Sequence, residues 1–117
     1  MTKRLLYAED DEIVRGALSQ LLTLLGWQVT TESDGSAAIN RLKAEEFDVV
    51  LTDHHMPETD GIGLVKNLRA CGFPGRIYVI SGALGAAQED EYHRLHVDGI
   101  ASKPLALLQL RSLLGAA

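Results

Sequence analysis

Cysteine is almost absent from this chain: Cys71 is the only one among 117 residues. A lone cysteine excludes an internal disulfide and fits a reducing compartment, so a cytoplasmic location is expected. Basic residues are in the minority, 11 Lys and Arg against 16 Asp and Glu, for a net charge of −5. That balance argues against direct nucleic-acid binding, which needs clustered positive charge to neutralise phosphates. Long hydrophobic runs are missing as well. The apolar stretch after Lys3 and Arg4 stops at Glu9, too short for a signal-peptide core and far too short for a membrane span, so no membrane partner is expected. There are no repeats, low-complexity tracts or linker-like stretches. What is present, 46% hydrophobic residues, suits one soluble globular domain over residues 1–117 with a single core.

The hydrophobic period switches repeatedly along the chain. Leu5-Leu6-Tyr7-Ala8 is a short continuous apolar run, as expected of a strand buried on both faces. Ile13, Val14, Ala17, Leu18, Leu21, Leu22 and Leu25 then form a helical stripe, with Gly26 as its stop. Trp27 to Thr31 reads as a second strand, and Asp34 or Ser36 caps a helix running to about Glu45. Val49 to Thr52 is a third strand ending at Asp53, and Asp60 precedes a helix carrying Ile62, Leu64, Val65 and Leu68. Ile77 to Ile80, a polar helix around Gln88 to Leu95, a short strand at Ile100-Ala101 and a helix from Leu105 to Leu114 complete the series. Alternating strands and helices imply an α/β fold with a parallel sheet, whose ligands bind outside the carboxyl ends of the strands.

Those ends carry the chemistry. Glu9, Asp10, Asp11 and Glu12 follow the first strand, Asp53 ends the third, Ser81 follows the fourth, and Lys103-Pro104 follows the fifth. Carboxylates from neighbouring strand ends repel unless a cation intervenes, and hard oxygen ligands with room for water suit Mg²⁺. A lysine and a hydroxyl beside such a metal complete a charge trap for a phosphoryl group, whose transfer needs mainly positioning and electrostatic stabilisation. Asp53 is then the nucleophile, forming an aspartyl phosphate. Each element has a plainer reading: Asp10 or Asp11 as a helix cap, Ser81 as a turn residue, Lys103-Pro104 as a loop. Their order at the ends of successive strands favours the chemical one.

These residues resemble the receiver, or response-regulator, family of two-component systems, and the resemblance runs over essentially the whole chain. It rests on Leu6-Tyr7-Ala8-Glu9-Asp10-Asp11-Glu12, on the block Asp53-His54-His55-Met56-Pro57-Glu58-Thr59-Asp60-Gly61, on Ser81-Gly82 and on Lys103-Pro104. It implies a flavodoxin-like, doubly wound five-stranded sheet in the order 2-1-3-4-5 with five helices. It also implies that Mg²⁺ is held by Asp10, Asp53 and the main-chain carbonyl of His55, with Glu9 reached mainly through water. Lys103 would pair with the phosphoryl group and be followed by a cis proline peptide bond, while Ser81 would be the switch hydroxyl. The implied reaction is phosphoryl transfer to Asp53 from a phosphohistidine on a sensor histidine kinase or histidine phosphotransfer protein, reset by hydrolysis. The domain thus catalyses its own phosphorylation and dephosphorylation and is no independent turnover enzyme. Phosphorylation would bias the face made by the fourth helix, fifth strand and fifth helix towards an output partner.

Several positions depart from the family pattern. Ile100 stands where receivers carry a switch aromatic, and a branched aliphatic does not swing as a ring does. His54 and His55 are unusual neighbours for the phosphoacceptor; the reading adopted gives His55 only its carbonyl, with its ring in solvent, and makes His55 and Ala83 the determinants of phosphoryl lifetime. In the last helix Leu107, Leu110 and Leu114 are expected to face the core, with Leu108 and Leu113 outward and Ala106 in place of a capping Ser or Asp. Gly99 and Leu113 replace two charges used by receivers that dimerise like winged-helix transcription factors, so the expectation is a monomer or weak homodimer. Met1 directly before Thr2-Lys3-Arg4 is read as a native start, of a free-standing receiver or one excised from a longer regulator.

Three other readings fit less well. A contact-only receiver-like module would lack the aspartate, the acidic pair or the lysine, and all are present. A haloacid-dehalogenase-type phosphatase places a second aspartate two residues after the nucleophile, where this chain has His55. A flavin binder needs a Ser/Thr/Gly phosphate cradle where this chain has Glu9 to Glu12.

Overall fold

Every apolar run becomes a strand and every helical stripe a helix. The computed structural model describes residues 3–115. In chain order the elements are β1 (Arg4–Ala8), α1 (Glu12–Leu24), β2 (Gln28–Glu32), α2 (Gly35–Ala44), β3 (Val49–Asp53), α3 (Gly61–Ala70), β4 (Arg76–Ser81), α4 (Ala86–Arg94), β5 (Gly99–Ser102) and α5 (Leu107–Leu114). The sheet is parallel throughout in the order β2-β1-β3-β4-β5. This is the doubly wound fold expected from the sequence. None of the helices among the described residues is long and apolar enough to cross a membrane.

Strand side chains alternate between faces, and the parity of each strand decides which layer a residue joins. Leu5, Tyr7, Val49, Leu51, Tyr78 and Ile80 face one cluster, packed with Leu18 and Leu22 of α1 and Leu110 and Leu114 of α5. Leu6, Ala8, Val50, Ile77 and Val79 face the other, with Leu64, Val65 and Leu68 of α3 and Tyr92 of α4.

Aspartates start three of the helices. Asp11 accepts from the Ile13 and Val14 amides at 3.0 and 3.1 Å, Asp34 from Ala37 at 2.7 Å, and Asp60 from Gly63 at 2.9 Å. Each such cap is worth about 1 kcal/mol. Asp34 is therefore the cap of α2; Ser36 instead pairs with the Thr59 hydroxyl at 3.3 Å. At α5 the missing cap is compensated from within: the Gln109 side-chain oxygen accepts from the Ala106 amide at 2.6 Å.

Two packing expectations fail for definable reasons. Ile13 is 83% exposed and Ala17 is also exposed, so the buried stripe of α1 is narrower than drawn. At 3.6 residues per turn Ile13 lies roughly 140° from Leu18, on the far side of the helix. In α5, Leu107 is exposed and Leu113 is half-buried against the core, the reverse of the expected arrangement. Both flank Leu110 at similar angles, and Gly99 decides between them. A Cβ there would lie only 3.0 Å from Leu113 Cδ1, so the absent side chain makes room for the leucine.

Candidate functional site

The chemistry-bearing residues are carried one step past the strands by the ladder of the sheet itself. The Glu9 amide donates to the Glu32 carbonyl at 3.0 Å, the His54 amide to Ile80 at 3.2 Å, and the Lys103 amide to Ser81 at 2.9 Å. Glu9, Asp53 and Lys103 are thereby fixed at one edge of the sheet by backbone bonds. Asp53 and Glu9 also share the strand parity of Tyr7 and Leu51, so both belong to the layer covered by α1 and α5.

Carboxylate oxygens of Glu9, Asp10 and Asp53 lie within 4.8 Å of one another. Because Asp11 serves as the helix cap, Asp10 is left exposed at the rim, while Asp53 and Glu9 are buried. Lys103 reaches over both: its Nζ is 2.5 Å from Glu9 Oε1 and 3.3 Å from Asp53 Oδ1. The Tyr7 hydroxyl donates to the same Glu9 oxygen at 3.2 Å, and the Asp11 amide donates to Oε2 at 3.4 Å. Burial lifts the Glu9 carboxyl above the ordinary carboxylate range, opposed by its hydrogen bond to Lys103. For Lys103, burial works against the charge, but Glu9 and Asp53 outweigh it and hold the ammonium above the usual lysine value. Burial also drives the Tyr7 phenol upward, with Glu9 adding to it, so Tyr7 stays protonated and donates.

Two residues of this shell escape sequence reasoning. Tyr7 looks like one more apolar strand residue, yet its hydroxyl orients Glu9. Arg15 looks like surface charge, yet its guanidinium donates to the Glu9 and Asp10 carbonyls at 2.9 and 3.4 Å and braces the acidic loop. A polar atom on an inward-facing strand residue two positions before a buried acid is the signal that points to Tyr7.

Ser81 is buried on the neighbouring strand end, where its hydroxyl lies 3.2 Å from the Ala83 carbonyl and 3.3 Å from the Ala83 amide. The Lys103-Pro104 peptide bond is cis. His55 is exposed at the mouth of the site and His54 is buried, turned away from Asp53 by the alternation of the strand. Burial and the neighbouring His55 depress the His54 imidazole below the ordinary histidine range.

The family model described as "Response regulator receiver domain" matches residues 5–115. The chain is a response-regulator receiver domain. It is 35% identical over 108 residues to the response regulator receiver protein CpdR of Brucella abortus, covering 92% of this chain and 90% of that protein. It is 31% identical over 110 residues to the sensor histidine kinase RcsC of Salmonella typhi, where the match spans 94% of this chain but 12% of the kinase. Among solved structures, a CheY-like response regulator receiver domain from Methylobacillus flagellatus superposes with a TM-score of 0.86 at 28% identity, covering 97% of each chain. The receiver therefore performs phosphorelay signalling through Mg²⁺-dependent phosphoaspartate chemistry, catalysing its own phosphorylation and dephosphorylation. Its three-carboxylate cluster fits that ion in donor type and spacing: three hard oxygen ligands, one at the solvent rim where bound water has access.

Proposed function

We propose that Asp53 is the phosphoacceptor and that Glu9, Asp10, Ser81, Lys103 and the His55 carbonyl are its machinery. The observation that carries this is the position of Asp53, a buried carboxylate 3.3 Å from the Lys103 ammonium and within 4.8 Å of two further carboxylates. An Asp53 oxygen attacks the phosphorus of a phosphohistidine whose other ring nitrogen carries a proton; the P–N bond breaks as the O–P bond forms, its electron pair goes to the ring, and the donor leaves as neutral imidazole. Asp10, Asp53 and the His55 carbonyl would hold Mg²⁺, and Glu9 would serve it mainly through water. Bound there, the ion supplies charge neutralisation between the carboxylates and the phosphoryl oxygens. Lys103 exchanges part of its contact with Glu9 for a phosphoryl oxygen. Ser81 turns its hydroxyl from Ala83 to another, and the loop before α4 follows. Hydrolysis of the acyl phosphate releases inorganic phosphate and restores the Asp53 carboxylate. His55 and Ala83, both exposed at the mouth, set how readily that water enters.

The partner that phosphorylates the receiver is a sensor histidine kinase or a histidine phosphotransfer protein, and an output protein or domain reads the α4-β5-α5 face. The chain acts in the cytoplasm as a monomer or weak homodimer, with no direct contact to nucleic acid or membrane. Ile13, 83% exposed in the first turn of α1 beside the acidic loop, is the apolar rim on which the donor rests. Changing it to serine is expected to slow transfer from a phosphohistidine donor about tenfold, the effect of losing one apolar anchor worth about 1.4 kcal/mol. Phosphorylation by acetyl phosphate, which needs no protein surface, should proceed at the wild-type rate.

The direct test is intact mass spectrometry after incubation with Mg²⁺ and acetyl phosphate or phosphoramidate. One added phosphoryl group is expected, dependent on Mg²⁺, absent from Asp53→Asn and decaying once the donor is removed. Failure to take any phosphoryl group, together with failure to bind beryllofluoride, would overturn the assignment.

A further inference from the structure

His54 directly follows the phosphoacceptor in sequence but faces the opposite layer of the sheet. There its Nδ1 lies 2.6 Å from the hydroxyl of Tyr92, and the two rings meet edge-on with centroids 5.6 Å apart. Both side chains are buried, His54 3% exposed and Tyr92 0%. The pair crosses from the end of β3 to the last turn of α4, between residues 38 positions apart.

The surroundings are shaped for this contact. Gly61, at the start of α3, leaves the space the hydroxyl fills: a Cβ there would overlap the Tyr92 oxygen and lie 3.0 Å from the His54 Cα. The Gly61 amide donates to the His54 carbonyl at 2.9 Å, closing the loop from 54 to 61 against the same point. In α4, Ala-Ala-Gln-Glu-Asp-Glu-Tyr-His-Arg, Tyr92 is the one buried residue, so the helix is anchored to the core through a single side chain. Its carboxyl end is held separately, by Arg69 of α3 donating to the Leu95 and His96 carbonyls at 2.8 and 2.7 Å. Its amino end emerges from the loop after Ser81 and is tied only within its own first turn, where the Gln88 side-chain oxygen accepts from the Gly85 amide at 2.8 Å. A helix clamped at its carboxyl end, plugged into the core about one turn before that clamp and tied at its amino end only to its own first turn can pivot. Ile100 of β5 packs in the same cluster as Tyr92 but has no polar atom with which to follow a charge.

We propose that His54 and Tyr92 form a positioning pair that ties the phosphoacceptor loop to α4, so that a change at Asp53 reaches the signalling helix through this hydrogen bond. The pair deepens the proposed function and rests on Asp53 being the phosphoacceptor. Phosphorylation draws the end of β3 towards the new phosphoryl contacts. His54 is one peptide unit away and moves with it, and Tyr92 carries the displacement to α4 about its Arg69-held end. The coupling is reciprocal: whatever fixes Tyr92 also steadies the His54–His55 peptide, and with it the His55 carbonyl proposed to face the metal.

Backbone amide NMR with Mg²⁺ and beryllofluoride tests this, with the fluorine signal of the bound mimic reporting occupancy. In the wild-type chain, binding is expected to shift amides of both 53–60 and 86–94. In Tyr92→Phe, which keeps the ring and removes only the hydroxyl, the mimic should still bind, about fivefold more weakly. The 53–60 shifts should persist and those of α4 largely vanish. His54→Asn places an amide atom near the position of Nδ1 and should retain the α4 response, whereas His54→Leu should lose it. A wild-type α4 response in Tyr92→Phe, or an Asn variant no better than the Leu variant, would overturn the pairing. No bound mimic in the wild type would overturn the phosphoacceptor assignment itself and the inference with it.

Discussion

Lys103→Met is expected to destabilise the receiver by about 2 kcal/mol near neutral pH and to slow phosphorylation of Asp53 by roughly two orders of magnitude. The stability loss follows from Glu9, whose side chain is 1% exposed and whose strongest partner is the Lys103 ammonium at 2.5 Å. Removing the lysine leaves that carboxylate buried beside a second one, with only Tyr7 and the Asp11 amide for support. The loss falls short of the ~3–5 kcal/mol of an enclosed pair, because Lys103 is 22% exposed and water reaches it. In the variant Glu9 relieves its burial by taking a proton, so its folded pKa rises further above its unfolded value. A carboxyl raised in this way adds stability at low pH and loses it as pH climbs through the folded pKa. The deficit against wild type should therefore shrink from about pH 8 to about pH 5, still above the unfolded glutamate value. Urea titrations of both chains in metal-free buffer check this, and an equal deficit at every pH would contradict it. The kinetic loss follows because Lys103 is the cation nearest the proposed acceptor oxygen, and methionine has no charge to offer a phosphoryl group.

Gly61→Ala is the second large effect, at about 3 kcal/mol of destabilisation. The Cβ would overlap the Tyr92 hydroxyl and approach the Asp53 carbonyl oxygen to 2.8 Å and the His54 Cα to 3.0 Å. The tyrosine tip can yield, but the two backbone atoms belong to a central strand end and cannot. Adding Tyr92→Phe should therefore recover only part of the loss, a coupling that a double-mutant cycle of urea midpoints resolves. Gly16→Ala is the control: it lies in α1 with nothing within 4 Å of a built Cβ. There the same methyl should stabilise by about 0.5–1 kcal/mol through helix propensity. Opposite signs for one substitution separate a glycine needed for space from one that is merely tolerated.

Much of the site is visible without coordinates because its residues sit where the hydrophobic period breaks. Glu9, Asp53, Ser81 and Lys103 all end or follow short apolar runs, and a parallel sheet gathers such ends at one edge. The His54–Tyr92 contact is hidden for the opposite reason. It joins residues 38 apart: His54 stands out only as an unusual neighbour of Asp53 and Tyr92 only as the lone aromatic of a polar helix, and nothing local pairs them. The stripe of α1 misleads at Ile13 because apolar identity alone does not set the width of a buried face. Only the sheet beneath the helix does.

The amino-acid sequence by itself determined the alternation of elements and the acidic, aspartate and lysine chemistry at the strand ends. These depend on periods of a few residues and on local hydrogen bonding, which the chain carries at every point. Tertiary structure alone decided which carboxylate Lys103 grips more closely, that Tyr7 and Arg15 brace the acidic loop, that Gly99 admits Leu113, and that Gly61 admits Tyr92 to His54. Each of these is a matter of space or distance set when the layers close on one another and not before.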